Sequence, residues 1–178
     1  MRILLTLSIL QSTMLAHAQV AIGKPGISNN SVSLEFGSNQ NRGMILHWVT
    51  NVSKLITAAN GIMAYDVATH KVKVKYSGGW KDLSVDTTGK TTDPVTNING
   101  ITIQNASEES SDAKVSIGTP TSTPGILVLE DKNKAMVLPK VANPQTSIVN
   151  PAPGMMVYDT TRKVLAFFNG TVWSFWKA

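Results

Sequence analysis

Apolar and polar residues alternate over short stretches along most of this chain, which predicts many brief strands. The clearest case is Lys71-Val72-Lys73-Val74-Lys75-Tyr76, where Val72, Val74 and Tyr76 share one face and the three lysines the other. Extended segments are also predicted over 32–36 and 44–49. Gly61-Ile62-Met63-Ala64-Tyr65 makes a further strand that runs into Asp66, where a carboxylate can accept a backbone N–H two residues on and open a loop. Ser77-Gly78-Gly79 turns the chain, and Trp80 begins the third strand of a meander. A short helix is predicted before the meander. Asn51 supplies the cap, Val52, Leu55, Ile56 and Ala59 recur at i, i+3, i+4 and i+7, and Asn60-Gly61 ends it.

The same pattern is written again further along. Met44-Ile45-Leu46 aligns with Met136-Val137-Leu138, and Asn51 with Asn143. With one residue inserted, Gly61 to Asp66 aligns with Gly154-Met155-Met156-Val157-Tyr158-Asp159, and Trp80 with Trp173. Upstream, Val20-Ala21-Ile22-Gly23 matches Val115-Ser116-Ile117-Gly118, and Leu34-Glu35 matches Leu129-Glu130. In the second copy Asn143 is the expected cap, Pro144 opens the helix and Pro151 ends it. The expected fold is therefore mainly β, with two tandem copies over 19–83 and 115–178. Each has extended strands, a short helix and a three-stranded antiparallel meander. The stretch between them, 84–114, is rich in Thr, Ser, Asn, Asp and Gly and reads as a polar linker or exposed arm, with a hairpin turning on Asn99-Gly100.

One difference between the copies bears on assembly. Lys71, Lys73 and Lys75 are replaced by Val164, Ala166 and Phe168, with Phe175 and Trp176 just after. That face is solvated in the first copy and has to be covered in the second, since so large an apolar surface is unusual on a monomer. Two covers are open: the chain's own helix or first copy, or a second subunit. A homo-oligomer fits the second.

Composition narrows the function. The chain opens with Arg2, an apolar run and Ala16-His17-Ala18, so residues 1–18 read as a secretory signal cleaved before Gln19. The run is broken by Thr, Ser and Gln and falls short of the roughly 20 residues that span a bilayer, and no later segment could do so. Removal of Arg2 takes the formal charge from +5 to +4. There is no long basic run, and nucleic acid is not an expected partner. The chain has no cysteine, which removes disulfides, thiolate metal sites and a thiol nucleophile. His47 and His70 stand apart, so no metal site is expected. No nucleophile elbow, zinc-protease or phosphate-loop motif occurs; no catalytic residue and no cofactor are expected. Asp66 and Asp159 read as turn residues, and Glu35 and Glu130 as strand-edge residues. Trp80 and Trp173 recur at one position and read as sheet-packing residues. Trp48 and Trp176 have no twin and are the candidates for stacking on a ligand such as a sugar.

"VSIGTP", "LVLEDKNKAMVLPKV", "NPAPGMMVYDTTRK" and "FFNGTVW" together resemble a family of secreted proteins common in Bacteroidota that look like phage tail-fibre or adhesin-like surface proteins. The resemblance spans Val115 to Trp173 well and the first copy loosely, with His47 in place of a proline and Ser77-Gly78-Gly79 in place of Asn-Gly-Thr. It implies an exported, non-enzymatic structural or adhesive module at the periplasm, cell surface or outside the cell, with a fibre-like homo-oligomeric assembly, a trimer first and a dimer second, and a surface glycan or protein as partner. It also marks Thr87, in Asp86-Thr87-Thr88, as an O-glycosylation candidate. A carbohydrate-binding protein that uses surface aromatic residues is the rival expectation, and an enzyme without a recognisable motif is a third.

Overall fold

The computed structural model describes residues 19–38, 40–105, 110 and 113–177; the expected signal segment lies outside them. The first copy holds β1 (Val20–Ile22), β2 (Val32–Phe36), β3 (Met44–Ile45), β4 (Trp48–Val49), β5 (Met63–Asp66), β6 (Lys71–Tyr76) and β7 (Gly79–Asp82). The second holds β8 (Val115–Gly118), β9 (Leu127–Glu130), β10 (Ala135–Val137), β11 (Lys140–Val141), β12 (Met155–Asp159), β13 (Val164–Phe168) and β14 (Trp173–Trp176). The fold is mainly β, and its pairings repeat strand for strand. β1 runs parallel to β2, as β8 does to β9. β4 lies parallel to β5, which leads into the antiparallel meander β5-β6-β7; β11, β12, β13 and β14 repeat that arrangement. His70 and Lys163, at matching places in the meander loop, both take positive φ.

The copies are interleaved. β3 of the first pairs antiparallel with β12 of the second, Ile45 opposite Met155. β10 of the second pairs parallel with β2 of the first, Met136 opposite Leu34. The largest core lies between the two meanders. Leu46, Tyr65, Val67 and Val72 of the first copy meet Met156 and Phe167 of the second. Burying a side chain of this size contributes about 1.5–3 kcal/mol, and here each copy covers the other.

On the predicted apolar face of β6, Val72 is fully buried opposite Tyr65, Val74 is half-buried, and Tyr76 at the strand end is 48% exposed. The lysine face is half-buried rather than simply wet. Lys73 Nζ lies 2.9 Å from the buried Asp66 carboxylate, and Lys71 Nζ 2.7 Å from Asp82. The matching face of β13 is covered from within the chain. Ala166 and Phe168 join Val141, Ile148, Met155 and Val157 in a second core, with Ala152 and Trp173 against it.

This difference explains why the two helices diverge from expectation. In the first copy only a 3-10 turn forms, Val52–Lys54, capped by Asn51 Oδ1 accepting from Ser53 N at 2.9 Å. Ile56, placed by sequence on the apolar face of a longer helix, is 92% exposed. Its twin Ile148 is buried. The charged face of β6 offers Ile56 nothing to pack on, whereas Val157, Ala166 and Phe168 hold Ile148. In the second copy the helix is Pro144–Ser147, and Asn143 sits in the left-handed region without a side-chain capping bond. The carbonyl of Asn143 accepts from Thr146 N and Ser147 N instead.

The segment between the copies is not a free arm over its first part. Ser84 and Thr91 are buried, and residues 85–90 run along the β13–β14 turn. Lys90 N donates to Asn169 O at 3.1 Å, Val85 N to Ser174 Oγ at 3.1 Å and Thr171 Oγ1 to Thr88 O at 2.7 Å. Gly170 permits the approach: its φ is +98°, and a Cβ there would stand 2.0 Å from Lys90 O. Nor is there a hairpin on Asn99-Gly100. The chain reverses earlier, where Asp93 Oδ1 accepts from Val95 N and Thr96 N, and Thr92 bridges Asn99. Asn99 Oδ1 then accepts from Ile101 N, and a helix runs over Gly100–Asn105. Ile101 packs on the shared core, which a hairpin strand pointing away would leave uncovered.

Candidate functional site

The aromatic candidates are structural anchors. Trp48 packs against Tyr65 with ring centroids 5.4 Å apart and ring planes tilted by 45°, and its Nε1 donates to Pro153 O of the other copy at 2.9 Å. Gly100 sits against the same indole, close enough that a Cβ would stand 2.4 Å from it. Trp176 packs on the shared core, donates from Nε1 to Leu83 O and carries Lys81 Nζ 4.8 Å from its ring centroid. Both rings are half-buried, and their indole N–H groups are satisfied within the chain. Tyr65 is a further anchor that sequence reasoning passed over. It is fully buried, its hydroxyl lies 2.8 Å from Asn169 O and 3.1 Å from Lys90 O, and burial pushes its ionisation far above the usual phenol range. Its landmark position in the repeat was visible; that its hydroxyl ties the connecting segment to the second copy was not.

Of the five residues expected at a subunit contact, Val164, Ala166 and Phe168 are buried within the chain and Trp176 is partly so. Intramolecular cover by the helix segment, the first of the two alternatives, accounts for Ala166 and Phe168. Phe175 is 39% exposed, under the Arg162 guanidinium at 4.9 Å. Arg162 Nη1 also reaches the buried Asp159 at 2.8 Å. Burial opposes ionisation of Asp159, but Arg162 and the backbone N–H groups of residues 161 and 162 outweigh it and hold its pKa below the ordinary value. Asp66 Oδ1 accepts from Ala68 N at 3.0 Å, so both aspartates serve the loops after their strands.

The glutamates are more than edge residues. Glu35 is buried at the end of β2, where Lys24 Nζ lies 2.7 Å away and Ser28 N donates at 2.6 Å. Lys24, then the Ser28 hydroxyl, hold its pKa at about 2. Glu130 is held at about 2 by the Thr121 hydroxyl, with Lys114 and Ser116 contributing. Among the described residues no cluster of three or more His, Asp or Glu could hold a metal ion, and no helix is long and apolar enough to cross a membrane. Thr87 is exposed and lines a shallow depression with Val85, Asp86, Val172, Trp173 and Ser174.

The surface that remains available is backbone at a sheet edge. Among the described residues β9 is paired only with β8, and its Leu127 is 44% exposed. Ile126 and Val115 beside it are exposed too. An open strand edge of this kind presents unpaired N–H and C=O groups and invites another chain.

No curated protein and no solved structure is significantly similar to the chain. Residues 116–177, the second copy almost end to end, match the family described as a phage tail like trimerisation region.

Proposed function

We propose that this protein is a non-enzymatic structural module that assembles as a homo-oligomer, a trimer first, within a fibre-like surface structure. The observation that carries the reading is the match of residues 116–177 to a phage tail-like trimerisation region. The open edge of β9 supports it by offering a place for a second chain. The protein is exported, on the strength of the Arg2–apolar–Ala16-His17-Ala18 order, and matures at Gln19. Its adhesive role is exercised at the cell surface against a glycan or protein, and Thr87, exposed beside Asp86, is the site for O-glycosylation. Nothing in the setting of Trp48 or Trp176 favours the carbohydrate-stacking alternative.

Light scattering on residues 19–178 at micromolar concentration tests the assembly. Three times the chain mass is expected, and a monomer overturns the reading. N-terminal sequencing and intact mass of material from the native host test export and modification. A chain that still begins at Met1 overturns export, and an unmodified mass overturns glycosylation.

A further inference from the structure

The two copies contact each other through a pair of strand exchanges that are not self-complementary. In the first exchange, the third strand of copy one, β3, lies on the fifth strand of copy two, β12, with Ile45 opposite Met155 and Met44 opposite Met156. In the second, the third strand of copy two, β10, lies on the second strand of copy one, β2, with Met136 opposite Leu34 and Val137 opposite Glu35. Each third strand thus has a defined partner in the neighbouring copy. Because the copies are structural twins, each exchange leaves an unfilled counterpart. Among the described residues β9, the twin of β2, lacks the strand that β2 receives, and β5, the twin of β12, lacks the strand that β12 receives. The consequence shows in burial: Val32 of β2 is 4% exposed, whereas Leu127, its twin in β9, is 44% exposed.

We propose that the contact between the copies inside one chain is repeated between chains, so that the free edge of β9 takes β3 of a second chain in parallel while β10 of the first lies antiparallel on β5 of the second. This rests on the homo-oligomer proposed above and names its interface. The register follows from the twin positions. Met44 of the second chain stands opposite Leu129, and Ile45 opposite Glu130. In the companion exchange Met136 stands opposite Met63, and Val137 opposite Ile62. Both exchanges fall in the same contact and point the same way along the series of copies, so the interface is heterologous. A heterologous contact either closes into a ring or runs on as a filament; a closed ring of three chains meets the trimerisation likeness of the second copy.

The absence of native cysteine makes the test clean. Ile62→Cys and Val137→Cys are made as separate variants and oxidised alone and as a mixture. A covalent species of twice the chain mass is expected in the mixture only. The double variant Ile45→Cys, Met155→Cys, which places the same pair inside one chain, reports whether this geometry closes a disulfide. If it closes and the mixture gives no cross-link while wild type is an oligomer, the inference is overturned and the oligomer stands. A wild-type monomer overturns both. Leu127→Lys gives a second, independent reading, because the side chain is already half in solvent within one chain. It is expected to raise the concentration needed for assembly at least tenfold with the circular dichroism unchanged. Wild-type mass in this variant overturns the inference even if the cysteines fail to pair.

Discussion

Glu35 is the residue whose role changed most between sequence and fold. In the sequence it reads as a strand-edge residue. In the folded chain β10 covers β2, and the carboxylate survives burial because Lys24 and two Ser28 donors satisfy it. Its pKa is lowered from 4.5 to about 2, so the folded state binds the ionised form more tightly than the unfolded chain does. The stability this contributes is present above the unfolded value of 4.5 and is lost as pH falls through about 2. Denaturant titrations between pH 5 and pH 2 are expected to show wild-type stability falling faster than that of Glu35→Gln. Parallel curves for the two proteins would remove Glu35 from the acid response. Lys24 lies four residues past Val20, outside any pattern that pairs it with position 35, so only the parallel β1–β2 hydrogen bonding brings the two together.

At the scale of elements, β6 and β13 show how one face decides what its neighbour becomes. Lysines on β6 leave the 52–59 segment without an apolar surface, and it contracts to a single 3-10 turn with Ile56 in water. Ala166 and Phe168 on β13 give the matching segment a surface, and Ile148 docks on it. The helix periodicity of Val52, Leu55, Ile56 and Ala59 was legible but not sufficient, because helical stability in so short a segment comes from packing rather than propensity. The double change Val164→Lys, Phe168→Lys therefore places two charges in an internal core. Loss of two buried apolar side chains costs about 3–6 kcal/mol by transfer alone, before the unpaired charges are counted. Circular dichroism is expected to show an unfolded or strongly destabilised protein. A variant that stays as stable as wild type and merely changes mass would mean that a second subunit covers this face.

For the whole molecule, the copies are repeated in sequence yet not independent in space. Each lends a strand to the other, the largest core draws on both, and the connecting segment is tied to the second copy through Asn169, Thr171 and Ser174. Residues 19–83 expressed alone lose β10 from β2 and lose Met156 and Phe167 from beneath Tyr65 and Val72. They are expected to show no cooperative unfolding transition in urea, whereas residues 19–178 show one. A sigmoidal transition in the fragment, with a denaturant slope scaled to its size, would show the first copy to be a domain in its own right.

The sequence by itself determined the duplication, the β class, the order of strands within each copy and the loop roles of Asp66 and Asp159. These rest on local physics: side-chain alternation along a strand, the conformational freedom of Gly, and the reach of an aspartate to nearby backbone N–H groups. Tertiary structure decided which strands cross between the copies, where Glu35 and Tyr65 find their partners, that the Trp48 and Trp176 indole N–H groups find backbone acceptors within the chain, and that residues 85–90 lie along the second meander. Those outcomes depend on contacts outside the period of a strand or helix, from 7 residues apart for Ser28 and Glu35 to 105 for Trp48 and Pro153. The polar segment shows the reason most plainly. Its composition predicts an exposed arm because it has little apolar area to bury, but its backbone N–H and C=O groups find partners at a turn held open by Gly170. Hydrogen bonds of that kind leave no periodicity in the sequence. The same holds for β9, whose apolar residues read like those of β2; only the pairing of the two copies leaves one strand covered and the other with an open edge.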